Sequence, residues 1–249
     1  MKVNVENFKN VIKKATLNDN IGTVQLLIDP SKIKSKMISS NNICITIIDM
    51  KNDVINTKEE LEFNFSEPSQ QLIPYLNLID DDEADITVKN EKIILKSGSQ
   101  KANINFCSSS VVNIFQSEAK EVDYFLTLEI DDDFINAFNK IKKISSRFGR
   151  IYFNVESNMF TIETTDKTNK FSNGLKFNIE KTEDVNDLVL MFDAKNITDL
   201  MTVIGKDYEN FKLNFAYVED AGVGLVFAES KDNSEKYYVM SQDESQSIE

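Results

Sequence analysis

The sequence predicts an α+β chain made of two similar modules, each an antiparallel sheet with two short helices on one face. Three observations carry that expectation. First, Phe8-Lys9-Asn10-Val11-Ile12-Lys13-Lys14 returns as Phe134-Ile135-Asn136-Ala137-Phe138-Asn139-Lys140, so Phe, Asn, an apolar pair and Lys recur at an offset of 126. Second, the apolar set Leu72, Leu76 and Ile79 returns as Ile197, Met201 and Ile204 at an offset of 125. Self-similarity on this scale marks duplicated units. Third, most of the remaining chain reads as short alternating apolar segments, which pair into sheets that the helical stretches cover on one face.

Each element has its own signature. Residues 6 to 16 place Phe8, Val11, Ile12 and Ala15 at helical spacing, with Lys9 and Lys13 on one polar flank and Lys14 on the other. Strands are expected at Val24 to Ile28, Ile43 to Ile48, Val54/Ile55 and Leu61 to Phe65, with Pro30 as an interruption. A second helix through Leu72, Leu76 and Ile79 starts near Ser66 to Ser69, where Pro74 is tolerated only in the first turn. Strands follow at Ile86/Val88, Ile93/Leu95 and Ala102 to Phe106. Residues 107 to 123 break the pattern with Ser108-Ser109-Ser110, an apolar patch Val111 to Phe115 and a polar run, and read as a connecting segment. The patch is either a plain strand or an exposed docking surface. The second copy then runs through a strand Tyr124 to Ile130 and a helix with Phe134, Phe138, Ile141 and Ile144 inward. On the helical wheel Lys140, Lys143 and Arg147 gather opposite Phe134 and Phe138. Strands at 151–155, 160–164, 175–179 and 188–192 precede a helix capped by Asp193, and strands near Phe211, Leu225 and Tyr237 close the module. The boundaries are thus 1–106 for the N-terminal module, 107–123 for the connector, 124–241 for the C-terminal module and 242–249 for an acidic tail.

Composition narrows the chemistry. The 249 residues suit two domains of roughly 120 to 130 residues each. There is no apolar run long enough to span a membrane and no signal-peptide core, so the expectation is an intracellular, cytoplasmic protein with no membrane association. Cys44 and Cys107 form neither a disulfide framework nor a metal pattern. With no histidine, the commonest general base and transition-metal ligand is missing. Asp131-Asp132-Asp133 reads as a helix N-cap with acids in the first turn, and Asp80 to Glu83 as a solvated loop without calcium-loop spacing. Among 7 glycines none forms a phosphate-cradling motif. The expectation is no enzymatic activity, no metal and no cofactor.

The net charge of −13 disfavours nucleic acid until its distribution is considered. From Phe134 to Val155 there are five bases (Lys140, Lys142, Lys143, Arg147, Arg150) and no acid; Pro30 to Ile48 holds Lys32, Lys34 and Lys36, again without an acid. Basic windows in an acidic chain point to a polarised surface.

Several local patterns then coincide. Met37-Ile38-Ser39-Ser40, Asp85-Ile86-Thr87-Val88-Lys89, Ser172-Asn173-Gly174 and Lys236-Tyr237-Tyr238 follow one another in the order and spacing of DNA polymerase sliding clamps of the proliferating cell nuclear antigen type, which the chain resembles over nearly its whole length. The resemblance implies a DNA clamp fold in a homotrimeric ring of six modules, with basic helices lining the hole and sheets outside. It also implies double-stranded DNA bound without sequence specificity, a DNA polymerase and a clamp loader as partners, and a role as processivity factor. DNA-facing residues carried over by that match are Lys9, Lys13, Lys14, Lys140, Lys143, Arg147 and Lys206. Partner-binding positions are Met37, Val112, Ile114, Tyr124, Gly224, Tyr238 and Met240, with Met240-Ser241 standing where the family has Ala-Pro. Subunits would join through strands 101–106 and 174–179. The Lys-, Asn- and Ile-rich composition suits a virus with an AT-rich genome, in which case the compartment is the host cell cytoplasm. Two other readings stand beside this one: an acidic clamp-like interaction protein or DNA mimic that binds replication proteins without encircling DNA, and a hydrolase using acidic clusters with Mg²⁺.

Overall fold

The computed structural model describes residues 1–89, 91–117, 122–167, 169, 173–181, 187–218 and 221–241. Ser172, residues 118–121 of the connector and the tail 242–249 lie outside them. The chain divides into two compact units, Met1–Glu118 with Asp232–Tyr237, and Ala119–Lys231 with Tyr238–Glu249.

In unit 1, β1 (Lys2–Asn4) leads into α1 (Val5–Ala15). The Asn4 side chain caps that helix by accepting from the Asn7 N–H at 2.9 Å. Phe8, Val11, Ile12 and Ala15 are buried, as their spacing requires. The helix stops where the Thr16 hydroxyl turns back to the Ile12 carbonyl and Leu17, Asn18 and Asp19 adopt positive φ. There follow β2 (Thr23–Ile28), β3 (Lys32–Ile38), β4 (Cys44–Lys51), β5 (Leu61–Ser66), the short turns α2 (Pro68–Gln71) and α3 (Ile73–Leu76), and then β6 (Glu83–Lys89), β7 (Lys92–Ser97) and β8 (Gln100–Asn105). They form antiparallel sheets ordered β5-β2-β3-β4 and β1-β6-β7-β8. Phe63 anchors the core, edge-on to Phe8 and stacked on Phe106.

Three expectations for this unit are corrected. Residues 32–38 form a strand that the lysines hid: Ile33, Ser35 and Met37 point inward, and the buried Ser35 hydroxyl donates to the Gln25 carbonyl at 2.7 Å. The second helix is two separate turns, because Pro68 and Pro74 each restart the chain and Leu72 between them leaves helical geometry at φ −121°, ψ −53°. Val54/Ile55 is no strand; Ile55 makes a single bridge to Val3.

The connector is partly built into this unit. After a 3₁₀ turn at Ser109–Val111, Ile114 bridges to Met37, the Ile38 N–H donates to the Asn113 carbonyl and the Phe115 N–H donates to the Lys36 carbonyl. These bonds pair the outer end of β3, beyond the point where Leu27 and Ile28 join it to β2.

Unit 2 runs through β9 (Leu126–Glu129), α4 (Asp132–Phe148), β10 (Arg150–Glu156), β11 (Met159–Thr164), β12 (Leu175–Lys181), β13 (Leu188–Asp193), α5 (Ala194–Ile204), a 3₁₀ turn Gly205–Asn210, β14 (Phe211–Val218) and β15 (Val223–Ser230). The last strand, β16 (Glu235–Met240), gives its first half to unit 1 and its second half to unit 2. One sheet is ordered β12-β11-β10-β13, another runs β15-β14-β9, and all these pairs are antiparallel. Both α4 and α5 pack on the first of them. Phe153, Phe160, Phe192 and Phe215 interlock beneath the helices with centroids 4.8 to 5.9 Å apart. Asp131 caps α4 by accepting from the Phe134 N–H, and Gly149, at φ 70°, ends it with the left-handed turn that a side chain would strain.

Candidate nucleic-acid interface and docking face

Of the seven candidate cations three lie on α1, three on α4 and one, Lys206, on the turn after α5. In α1, Lys9 Nζ lies 2.7 Å from Glu6, whose carboxyl is held below its ordinary range chiefly by that hydrogen bond. Lys14 Nζ lies 2.5 Å from Glu235, whose other oxygen accepts from the Tyr237 hydroxyl at 2.6 Å. Tyr237 is fully buried, and burial pushes its phenol well up. Lys13 projects into solvent with no acid of the described residues within ion-pair distance, although its charge also helps to hold the Glu6 carboxyl down.

In α4, Lys140, Lys143 and Arg147 are exposed, and no acid of the described residues lies within ion-pair distance of them. Lys140 leans sideways, its ammonium 5.4 Å from the centre of the Phe177 ring on β12. Lys142, absent from the candidates above, is equally exposed and donates to the Thr202 hydroxyl of α5 at 3.3 Å. Lys206 sits exposed on the turn after α5. Lys195 on α5 is occupied with Asp199 at 2.5 Å.

The acidic runs have structural partners. Asp131 caps α4 and Asp132 accepts from the Tyr208 hydroxyl, a bond that raises the Tyr208 pKa. Among the described residues no group of three or more His, Cys, Asp or Glu is placed to hold a metal ion. Nor is any helix of these residues long and apolar enough to cross a membrane.

The candidate docking residues are described unit by unit. In unit 1, Met37 and Val112 are buried, Ile114 is half-buried on its bridge to Met37, and Val111 beside them is 53% exposed. In unit 2, one face of β14 and β15 presents Ala216, Leu225 and Phe227, and Val122, Tyr238 and Met240 pack against them. Tyr124 and Tyr238 each stack on Phe227, with centroids 5.8 and 4.3 Å away. Desolvation, then the neighbouring Tyr124 and Glu229, pushes the Tyr238 phenol up to about 12. At Gly224 a Cβ would lie 2.7 Å from the Leu190 side chain, so close packing under the sheet excludes a side chain there.

Two strand edges complete the picture. β8 ends its sheet in unit 1 and β12 ends its sheet in unit 2. Half-buried Leu175, Phe177 and Ile179 line one face of β12.

Duplicated antiparallel units that each carry helices over a sheet define a clamp-type scaffold. The solved structures it is similar to say which kind. A. fulgidus PCNA, bound to the C-terminal region of FEN-1, shares 14% identity over 99% of this chain and 98% of that one, with a TM-score of 0.66. Thermococcus kodakaraensis PCNA shares 11% identity over 96% and 98%, with a TM-score of 0.64. The DNA polymerase III beta chain of Streptococcus pneumoniae shares 13% identity over 99% of this chain, which spans 65% of that longer one, with a TM-score of 0.66. No protein-family model and no curated protein matches the sequence. At these identities the likeness establishes the fold: the chain has the DNA clamp architecture, at the length of the PCNA chains.

Proposed function

We propose that the protein is a sliding clamp: copies of the chain close into a ring around duplex DNA and tether a polymerase and other replication proteins to it. The observation that carries this reading is the clamp fold over the full length together with α4, whose cations have no acidic partner among the described residues of an otherwise acidic protein. Such cations attract phosphates without reading bases, so a ring held by topology can slide. The strands β8 and β12, which end their sheets among the described residues, supply the head-to-tail contact, and three copies give the ring. The Tyr124–Phe227–Tyr238 stack in unit 2, and the exposed Val111 with half-buried Ile114 in unit 1, are the surfaces offered to the apolar segments of a polymerase or clamp loader. The work is binding rather than catalysis, with neither metal nor cofactor, and takes place inside the cell where replication occurs.

The test is topological. The protein should stay on nicked circular DNA and leave when the circle is linearised, and light scattering should find a species near three times 28.4 kDa. A monomer at every concentration, or equal retention on linear and circular DNA, overturns the reading.

One observation favours the acidic-mimic alternative: in α1 two of the three lysines are neutralised by carboxylates of the same unit. That alternative requires polymerase stimulation to survive replacement of Lys140, Lys143 and Arg147 by Ala; the clamp requires it to fall.

A further inference from the structure

Asn173-Gly174 is the only Asn-Gly pair in the sequence, and it stands at the entry to β12, the strand that ends its sheet among the described residues. Both residues are exposed. The first rung of the β11–β12 ladder pairs Leu175 with Thr164, so Gly174 lies one residue outside it, and no backbone bond of the described residues engages its N–H. A Cβ on Gly174 would lie 2.8 Å from the Thr165 Cβ and 2.9 Å from the Thr165 hydroxyl, and this close approach holds the position to glycine. An asparagine side-chain carbonyl is one five-membered ring away from the next backbone nitrogen. Glycine after it leaves that nitrogen unshielded and the backbone able to turn toward the carbonyl. Asn233-Ser234, which also has a small residue after asparagine, is arranged otherwise: the Ser234 N–H donates to the Asp232 carboxylate at 3.0 Å, so its nitrogen is engaged.

We propose that Asn173 is a site of spontaneous deamidation, and that its conversion weakens the contact made through the β12 edge. Solvent hydroxide takes the Gly174 amide proton and the nitrogen attacks Asn173 Cγ. The bond from Cγ to the side-chain nitrogen breaks, and that nitrogen leaves with a proton from water as ammonia. The succinimide so formed takes up one water and opens at either carbonyl, leaving aspartate or isoaspartate; nothing is oxidised or reduced. Each product adds one negative charge to a chain already at −13. Isoaspartate also runs the main chain through the former side chain, which lengthens it by one carbon directly before the rung that pairs Leu175 with Thr164. A strand whose first rung is displaced presents its outer hydrogen-bonding groups out of register to an incoming strand. The conversion itself is independent of the clamp reading; its effect on the edge rests on that reading.

The experiment ages the full chain in warm, mildly alkaline buffer and follows it by peptide mass mapping, with isoaspartyl methyltransferase labelling as a second readout. The peptide holding Asn173 should be the first to gain the mass of an amide exchanged for an acid. Asn173→Gln, which would have to close a six-membered ring, should lose both signals. Light scattering then reads the edge: aged wild type should assemble less than fresh wild type, and aged Asn173→Gln should match its own fresh form. If another asparagine converts while Asn173 keeps its amide, the site is overturned. If Asn173 converts and the aged protein assembles as the fresh protein does, the edge effect is overturned and the clamp reading stands. If the fresh protein is a monomer at every concentration, the clamp reading falls and takes the edge effect with it, and the mass map alone decides the site.

Discussion

Helices α1 and α4 begin with the same motif and both end basic, but they differ in how their cations are partnered. The offset that matches Phe8 to Phe134 also matches Lys14 to Lys140, and in both units that lysine is drawn sideways, to Glu235 in one and over Phe177 in the other. What separates the helices is length. The shorter, of 11 residues, ends at Ala15, the counterpart of Ile141; the longer has 17 residues and continues through Lys142, Lys143, Ser146 and Arg147 before Gly149 stops it. At the corresponding places unit 1 has buried Leu17 and Ile21. Of the cations without an acidic ion-pair partner among the described residues, the repeated motif supplies Lys13 and Lys140, and the extension of α4 adds Lys142, Lys143 and Arg147.

The most severe way to break this comparison is to remove the extension's charge. Replacing Lys142, Lys143 and Arg147 together by Ala should weaken binding to duplex and lower the salt slope by about 2.7. Replacing Lys9, Lys13 and Lys14 should spare most of the slope, and equal losses would show that the two helices are not divided as described. Next in size, Lys14→Met should destabilise the fold by roughly 2 kcal/mol in denaturant titration, because it leaves the carboxylate of Glu235 buried with Tyr237 as its remaining donor among these contacts. Lys140→Met, at the matching position, should cost well under 1 kcal/mol.

A smaller effect tests the aromatic face. Tyr238 has a folded pKa of about 12 against 10 when unfolded. The folded protein therefore holds a proton that the unfolded chain releases, and the stability linked to Tyr238 is complete below pH 10 and fades as pH rises toward 12. Tyr238→Phe should flatten that alkaline limb, read as Tm against pH. Smallest is Glu6→Gln, which releases Lys9. It should leave stability within about 0.5 kcal/mol and make binding to duplex slightly more salt-dependent.

Much of the fold was legible locally. Alternation at Leu61, Phe63 and Phe65 identified β5, and Asp131 and Asp193 were readable as caps because an Asp before an apolar helical stripe has few other uses. β3 escaped because its inward positions include Ser35, whose burial depends on the carbonyl of Gln25 on the next strand. The broken second helix could have been inferred from Pro68 and Pro74 taken as a pair. The candidate site was harder to read. Lys14 and Glu235 are 221 residues apart, so no window contains their ion pair, and Lys142 owes its direction to Thr202, 60 residues away. At Gly224, carried over as a docking position, the structure adds the close approach of the Leu190 side chain. Periodicity reports which way a side chain faces; it is silent on what it meets there.

If copies of the chain join through β8 and β12, which end their sheets among the described residues, as proposed above, the size distribution of the assembly follows. A copy that joins head to tail hides one edge of each kind and presents one of each, so the number of sticky ends is unaffected by growth. Only an angular step that divides a full turn terminates it; a slightly different step yields an open spiral instead. Substitutions that tilt either strand by a few degrees should therefore show first as long polymers, well before any loss of folded protein.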